Sequence, residues 1–176
     1  GAVDKSDQLA WFSSKGPQNG VSGLKPDLTA PGVGILAARS QFSNGSGSYM
    51  SMDGTSMATP HVAGAAAILA QRHPDWTGDQ LKNALMSTTK KLDEIKPFEG
   101  GTGRLDVAAA TFGTVTATGS LDFGFFDWPH EDDSPVEKII TYTNDGDQEV
   151  TLNLTAAVSD GNGSTAPSGM ISLSTD

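Results

Sequence analysis

The sequence has no cysteine. That excludes disulfides, thiol catalysis and cysteine-ligated metals, but leaves the compartment open, because larger secreted proteins need no disulfide. Basic residues are scarce: 11 Lys and Arg stand against 21 Asp and Glu, a formal charge of -10. Nucleic acid and anionic membranes are polyanions, so neither is expected as a partner of so acidic a chain. Long apolar runs are also missing. The longest, Val62–Ala70, is about half alanine and too short to span a bilayer. No Walker loop, dinucleotide fingerprint or zinc motif occurs. Neither a signal peptide nor an initiator Met is present, and neither end carries a start or stop signal. A piece of a longer protein is the expectation.

What the chain does have is glycine and proline, 21 and 9 among 176 residues, which call for many turns and close backbone approaches. Hydrophobic residues make up 36%, enough for a packed core of one domain, or one and a part. The pattern changes near residue 112. Before it, short strand candidates at Ala10–Ser14, Gly34–Ala38 (read as buried) and Tyr49–Ser51 alternate with helical segments. The main helix is expected from Thr55 to about Arg72. It is apolar on nearly every face, the pattern of a helix buried all round. Pro74 stops it. Thr77 is a good N-cap, with Gln80 closing a capping box, for a helix over Gly78–Thr88 that faces Leu81, Ala84 and Leu85 inward. A turn at Gly100–Gly103 precedes a short helix at Arg104–Ala110, with Leu105, Val107 and Ala108 buried.

After Phe112 the period becomes two. Thr114–Thr118 alternates, and Val136–Asn144 and Glu149–Val158 flank Asp145-Gly146 as in a β-hairpin. Ile171–Ser174 begins another strand candidate. The expected organisation is therefore α/β over residues 1–112, and the start of an incomplete all-β, sandwich-like segment over 113–176.

The stretch DGTSMATPHVAG, residues 53–64, holds the chemistry-bearing candidates. A nucleophilic serine needs a proton acceptor, an orienter for that acceptor, and N–H donors for the oxyanion. Ser56, at the start of a long helix, has the donors, because the first helical N–H groups are unsatisfied and the dipole is positive there. The competing reading is that Ser56 is an N-cap. His61 fails as its base: five helical residues turn about 140° past a full circle and rise about 7.5 Å. It reads as a buried or half-buried structural histidine. His73 reads as a helix-end residue, and His130 sits in an acidic loop. Glu131–Asp133 reads as solvated loop, with calcium binding the lesser reading. Spacing alone assembles no triad.

Five ordered segments resemble the subtilisin-like serine proteases: WFSSKGP (Trp11–Pro17), LKPDLTAPGVGILAA (Leu24–Ala38), GTSMATPHVAGAAAIL (Gly54–Leu69), HPDWTGDQLKNALMSTT (His73–Thr89) and GTGRLDVAAA (Gly101–Ala110). The resemblance covers residues 1–112 and implies the C-terminal part of a subtilisin-like catalytic domain, built on a parallel sheet with helices. It implies that Ser56 is the nucleophile and gives one oxyanion N–H, that Thr55 lies beside the oxyanion site, that Met57 is the methionine next to the nucleophile, and that His61 is non-catalytic. It places the triad Asp and His and the oxyanion Asn before Gly1. The implied protein is a secreted, extracellular endopeptidase acting on peptide or protein substrates. The chain itself is expected to hold no cofactor and to be inactive alone; any structural calcium is expected in the longer protein, whose calcium dependence the sequence leaves open. A sheet cut in this way leaves open edges, so an oligomer or domain swap is expected. The rival expectation is a catalytically dead binding or adhesion module on the same fold.

Overall fold

The computed structural model describes residues 7–17, 23–158 and 164–174. They divide into two compact units, Gly1–Asp145 and Gly146–Asp176.

In the first unit, β1 (Ile35–Ala38) and β2 (Tyr49–Met52) form an antiparallel hairpin in which Ile35 faces Met52 and Ala38 faces Tyr49. Residues 39–48 between them are too few for a parallel crossover, so the pair can only be antiparallel. Arg39 closes that loop from inside. Its Nε donates to the Gly47 carbonyl at 2.8 Å and its Nη1 to the Asn44 carbonyl at 3.0 Å. The hairpin leads through Asp53-Gly54 into α1 (Thr55–Arg72), with the bounds that its periodicity predicts. α2 (Gly78–Ser87) begins with the expected capping box: the Gln80 N–H donates to Thr77 Oγ1 and the Thr77 N–H to Gln80 Oε1. A one-turn helix, α3 (Pro97–Gly100), precedes the turn at 101–102, and α4 (Val107–Phe112) follows, capped by Asp106 accepting from the Ala109 N–H at 2.9 Å.

The core is where α1, α2 and α4 meet. Ala65, Leu69, Ala84, Leu85, Leu105 and Ala110 are buried together, with Leu28, Val62, Trp76 and Leu81 packed on them. A small ladder ties the unit together: the Leu105 N–H donates to the Thr29 carbonyl at 2.8 Å, and Lys90 and Arg104 exchange both backbone bonds at 2.8 Å. Asp7 adds an ion pair to each of Lys90 and Arg104. β3 (Val115–Ala117) pairs antiparallel with β4 (Tyr142–Asn144) and leans on α2, where Asn83 Oδ1 accepts from the Gly119 N–H at 3.1 Å. Helices and small sheets together make the unit α/β.

Several expectations are corrected. The two named sheets among the described residues are antiparallel; parallel pairing is confined to the Thr29–Arg104 bridge. Ala10–Ser14 is a turn, closed by Ser13 N–H to the Ala10 carbonyl at 3.0 Å. α1 is not buried all round. Only Ala65 and Leu69 are buried, because α2 and α4 cover one side and no described element covers the rest. β1 is largely exposed for the same reason. In α4 the buried residues are Ala110 and Thr111 rather than Val107 and Ala108, since the helix starts three residues later than expected. The hairpin around Asp145-Gly146 does not form. β4 finds its partner in β3 instead, with the Asp145 N–H closing onto the Thr114 carbonyl at 2.8 Å.

In the second unit, Glu149–Val158 and Ile171–Ser174 carry no strand. Isolated strand sequences have no ladder to join, and so remain irregular. Two backbone bonds organise the described part: Ala166 N–H to the Val158 carbonyl at 3.0 Å, and Met170 N–H to the Pro167 carbonyl at 3.3 Å.

Candidate functional site

The candidate site is the junction of β2 and α1. Gly54 is the N-cap of α1, with φ 155 and ψ 158, a conformation that L side chains rarely adopt. Its N–H donates to the Gly32 carbonyl at 2.8 Å, and the Gly34 N–H donates to Asp53 Oδ1 at 2.6 Å. Two bonds in opposite directions thus bind residues 32–34 to residues 53–54. Glycine is required at Gly32 as well: a Cβ there would lie 2.8 Å from the Gly54 carbonyl oxygen and 3.3 Å from Ala58 Cβ.

Beyond Gly54 the helix starts at Thr55. The Met57 and Ala58 N–H groups both turn back to the Gly54 carbonyl, at 3.0 and 3.3 Å. The N–H groups of Thr55 and Ser56 have no acceptor among the described residues. The first turn carries no acidic side chain that would neutralise the positive end of the dipole. An oxygen that gains negative charge beside Ser56 would meet a free N–H and a favourable potential.

Ser56 is exposed, and its hydroxyl makes no capping bond. The N-cap reading of Ser56 is therefore corrected: Gly54 holds that position, and the Ser56 Oγ has no hydrogen-bond partner among the described residues. Pro60 adds to this looseness, because its missing N–H leaves the Ser56 carbonyl without its helical partner. Thr59 Oγ1 donates to the Thr55 carbonyl at 3.0 Å and steadies the first turn. Met57 is half-buried against Gly54, where a Cβ would meet its sulfur at 3.4 Å.

The histidines lie elsewhere. His61 Nδ1 is 2.9 Å from the Met57 carbonyl, one turn back on the same helix. A carbonyl only accepts, so that nitrogen carries the proton. His61 is exposed, which corrects the expectation of burial. His73 stacks on Trp76 with ring centroids 3.8 Å apart, and His130 pairs with Asp133 at 2.9 Å. No described histidine lies against Ser56. Nor does the acidic loop gather into a cation site: His130 engages Asp133, and no three His, Asp or Glu groups converge among the described residues. No described helix is long and apolar enough to cross a membrane.

A cleft of about 1000 Å³ opens beside this junction, lined by Leu28–Val33, Asp53–Thr55 and the Ala58, Thr59 and Val62 stripe of α1. Ser56 stands one residue further round the helix, at the margin of that stripe. Among the charged groups lining the cleft, Asp7 and Arg104 pair with each other, whereas among the described residues Asp53 is bonded by the Gly34 backbone N–H. Sequence reasoning passed over Asp53 and Gly32. The available signal was an aspartate two residues before a helix and next to a glycine, a placement in which the short carboxylate bonds local backbone.

The subtilase family model matches residues 1–109. Subtilisin-like protease SBT3.10 of Arabidopsis thaliana is 49% identical over 90 residues, which are 50% of this chain and 12% of that protein. Subtilisin E of Bacillus subtilis is 44% identical over 110 residues, 62% of this chain and 25% of that protein. A solved protease of Pseudoalteromonas arctica is 38% identical, with a TM-score of 0.44 over 49% of this chain and 28% of that one. The chain thus spans between 12% and 25% of the length of these two curated relatives. With the match running through residues 1–109 of 176, the chain belongs to the subtilase family.

Proposed function

We propose that the chain supplies the nucleophile of a secreted serine endopeptidase, and that Ser56 is that nucleophile. One observation carries the reading. Ser56 sits on the first turn of α1 with a hydroxyl and an N–H that have no hydrogen-bond partner among the described residues, inside the segment that the family match covers.

The chemistry follows from that placement. Ser56 Oγ attacks the carbonyl carbon of a peptide bond, and its proton passes to a histidine base on a part of the longer protein that precedes Gly1. The carbonyl oxygen gains negative charge and takes the Ser56 N–H as a donor, with Thr55 beside it. The C–N bond then breaks, the amine leaves with the proton, and an acyl-enzyme ester remains on Ser56. Water cleaves that ester and returns the proton to Oγ. Met57 packs against the turn that carries the nucleophile. The 176-residue chain alone is inert, because a serine without its base is a weak nucleophile.

The test uses the full-length protein. Ser56→Ala abolishes hydrolysis of an unfolded protein substrate while binding of a peptide product survives. If the variant hydrolyses at the wild-type rate, Ser56 is not the nucleophile. If wild-type protein binds peptides but never cleaves them, the fold serves as a binding module.

A further inference from the structure

The nucleophile reading leaves unexplained why an aspartate stands immediately before the N-cap glycine. A carboxylate near a helix N-terminus is ordinarily a capping or dipole partner. Asp53 makes no capping bond to α1. Its Oδ1 reaches across to the Gly34 N–H at 2.6 Å, a short bond.

That bond is half of a clamp. The other half is the Gly54 N–H on the Gly32 carbonyl, one residue on from Asp53 and two residues back from Gly34. A single hydrogen bond leaves a hinge, and rotation about it would swing the start of α1. Two bonds of opposite sense, at Asp53 and Gly54, fix the direction in which the chain enters the helix. Gly54 has φ 155, a region in which glycine's own preferences hold nothing in place. Ser56 follows two residues later, and the first helical carbonyl that organises its turn is that of Gly54 itself, accepting from the Met57 and Ala58 N–H groups. Whatever sets the plane of Gly54 therefore sets where the Ser56 Oγ and N–H point.

We infer that Asp53 is a positioning residue for the nucleophile: by bonding the Gly34 N–H it locks the Gly54 turn and so aims Ser56. The inference rests on the nucleophile reading above. It depends on Asp53 as an acceptor and not on its charge, and that separates it from a mere electrostatic effect on the cleft. Asp53→Asn keeps an oxygen at the same distance, whereas Asp53→Ala removes it.

Two measurements test it. In the 176-residue chain, amide exchange at Gly34 and Gly54 speeds up about tenfold in Asp53→Ala and stays near wild type in Asp53→Asn, while far-UV circular dichroism is unchanged. In the full-length protein, Asp53→Ala lowers kcat about tenfold with KM within about twofold, and Asp53→Asn restores it, because misaimed reacting atoms slow chemistry without weakening ground-state binding. Unchanged kcat in Asp53→Ala overturns the inference, as does Asp53→Asn being impaired as much as Asp53→Ala, or a loss confined to KM. Ser56→Ala is assayed alongside. An active Ser56→Ala sinks the nucleophile reading and this inference together. An inactive Ser56→Ala with a fully active Asp53→Ala sinks this inference alone.

Discussion

Replacing Leu69 with alanine tests the packing that holds α1, and a neighbour on the same helix serves as its control. Leu69 is 0% exposed, in a cluster whose other members include Ala65, Ala84 and Ala110. Removing three carbons from that site costs about 2.4 kcal/mol in transfer alone. The alanines around it have no side chain with which to fill the space, so a cavity term raises the cost to about 3–4 kcal/mol. Ile68, the preceding residue, is 41% exposed. Ile68→Ala loses only the buried part of its transfer energy and leaves no closed cavity, about 1 kcal/mol. The difference of about 2 kcal/mol is roughly a thirtyfold change in the unfolding equilibrium. Urea unfolding of the 176-residue chain, followed by far-UV circular dichroism, reads both variants against wild type. Equal losses for Leu69→Ala and Ile68→Ala, or a Leu69→Ala loss under about 1 kcal/mol, would refute a core centred where α1, α2 and α4 meet.

Other outcomes follow from single sites. Thr77→Ala removes one bond of the α2 capping box and lowers stability by about 1 kcal/mol in the same urea titration; Thr77→Ser keeps it. Burial pushes the Asp27 carboxyl up, but hydrogen bonds from Lys25 and Lys82 outweigh it and hold the pKa below its ordinary value. A depressed carboxylate stabilises the fold above its unfolded pKa, and that contribution is lost as pH falls through the folded value. Thermal unfolding of Asp27→Asn is therefore flatter than wild type below about pH 4, and lower than wild type at neutral pH; parallel curves would show that the ion pairs contribute nothing. Peroxide converts Met57 to a bulkier, polar sulfoxide against the Gly54 turn. It should slow hydrolysis by the full-length protein, with Met57→Ala resistant; an equal response in both variants would place Met57 away from the site.

The parts of the fold that local chemistry decides are legible in the sequence. Thr77 and Gln80 announce their helix start, Pro74 announces a stop, and the residues of β1 and β2 carry strand composition. What depends on partners was not legible. The apolar faces of α1 say that they seek cover, but composition cannot say whether the covering elements are on the same chain. Asp145-Gly146 has the local form of a hairpin turn, yet β4 pairs with β3, some 25 residues upstream, because α2 offers β3 a surface through Asn83 and Ser87. At the site, the helix period sets His61 on a different face of α1 from Ser56, and its Nδ1 lies 2.9 Å from the Met57 carbonyl. The period could not reveal that Gly54 takes the N-cap in place of Ser56, since serine and glycine both suit that position. Nor could it reveal the bond from Gly34 to Asp53, which joins residues 19 apart in the chain.

The most direct test of the nucleophile is covalent. A fluorophosphonate added to the full-length protein should react at one serine, and mass spectrometry of the digest should place the adduct on the peptide containing Ser56. Labelling should vanish in Ser56→Ala and after unfolding in urea, since it needs the helix N-terminus and the base in place. An adduct on a different serine, or labelling that persists in Ser56→Ala, would contradict the assignment.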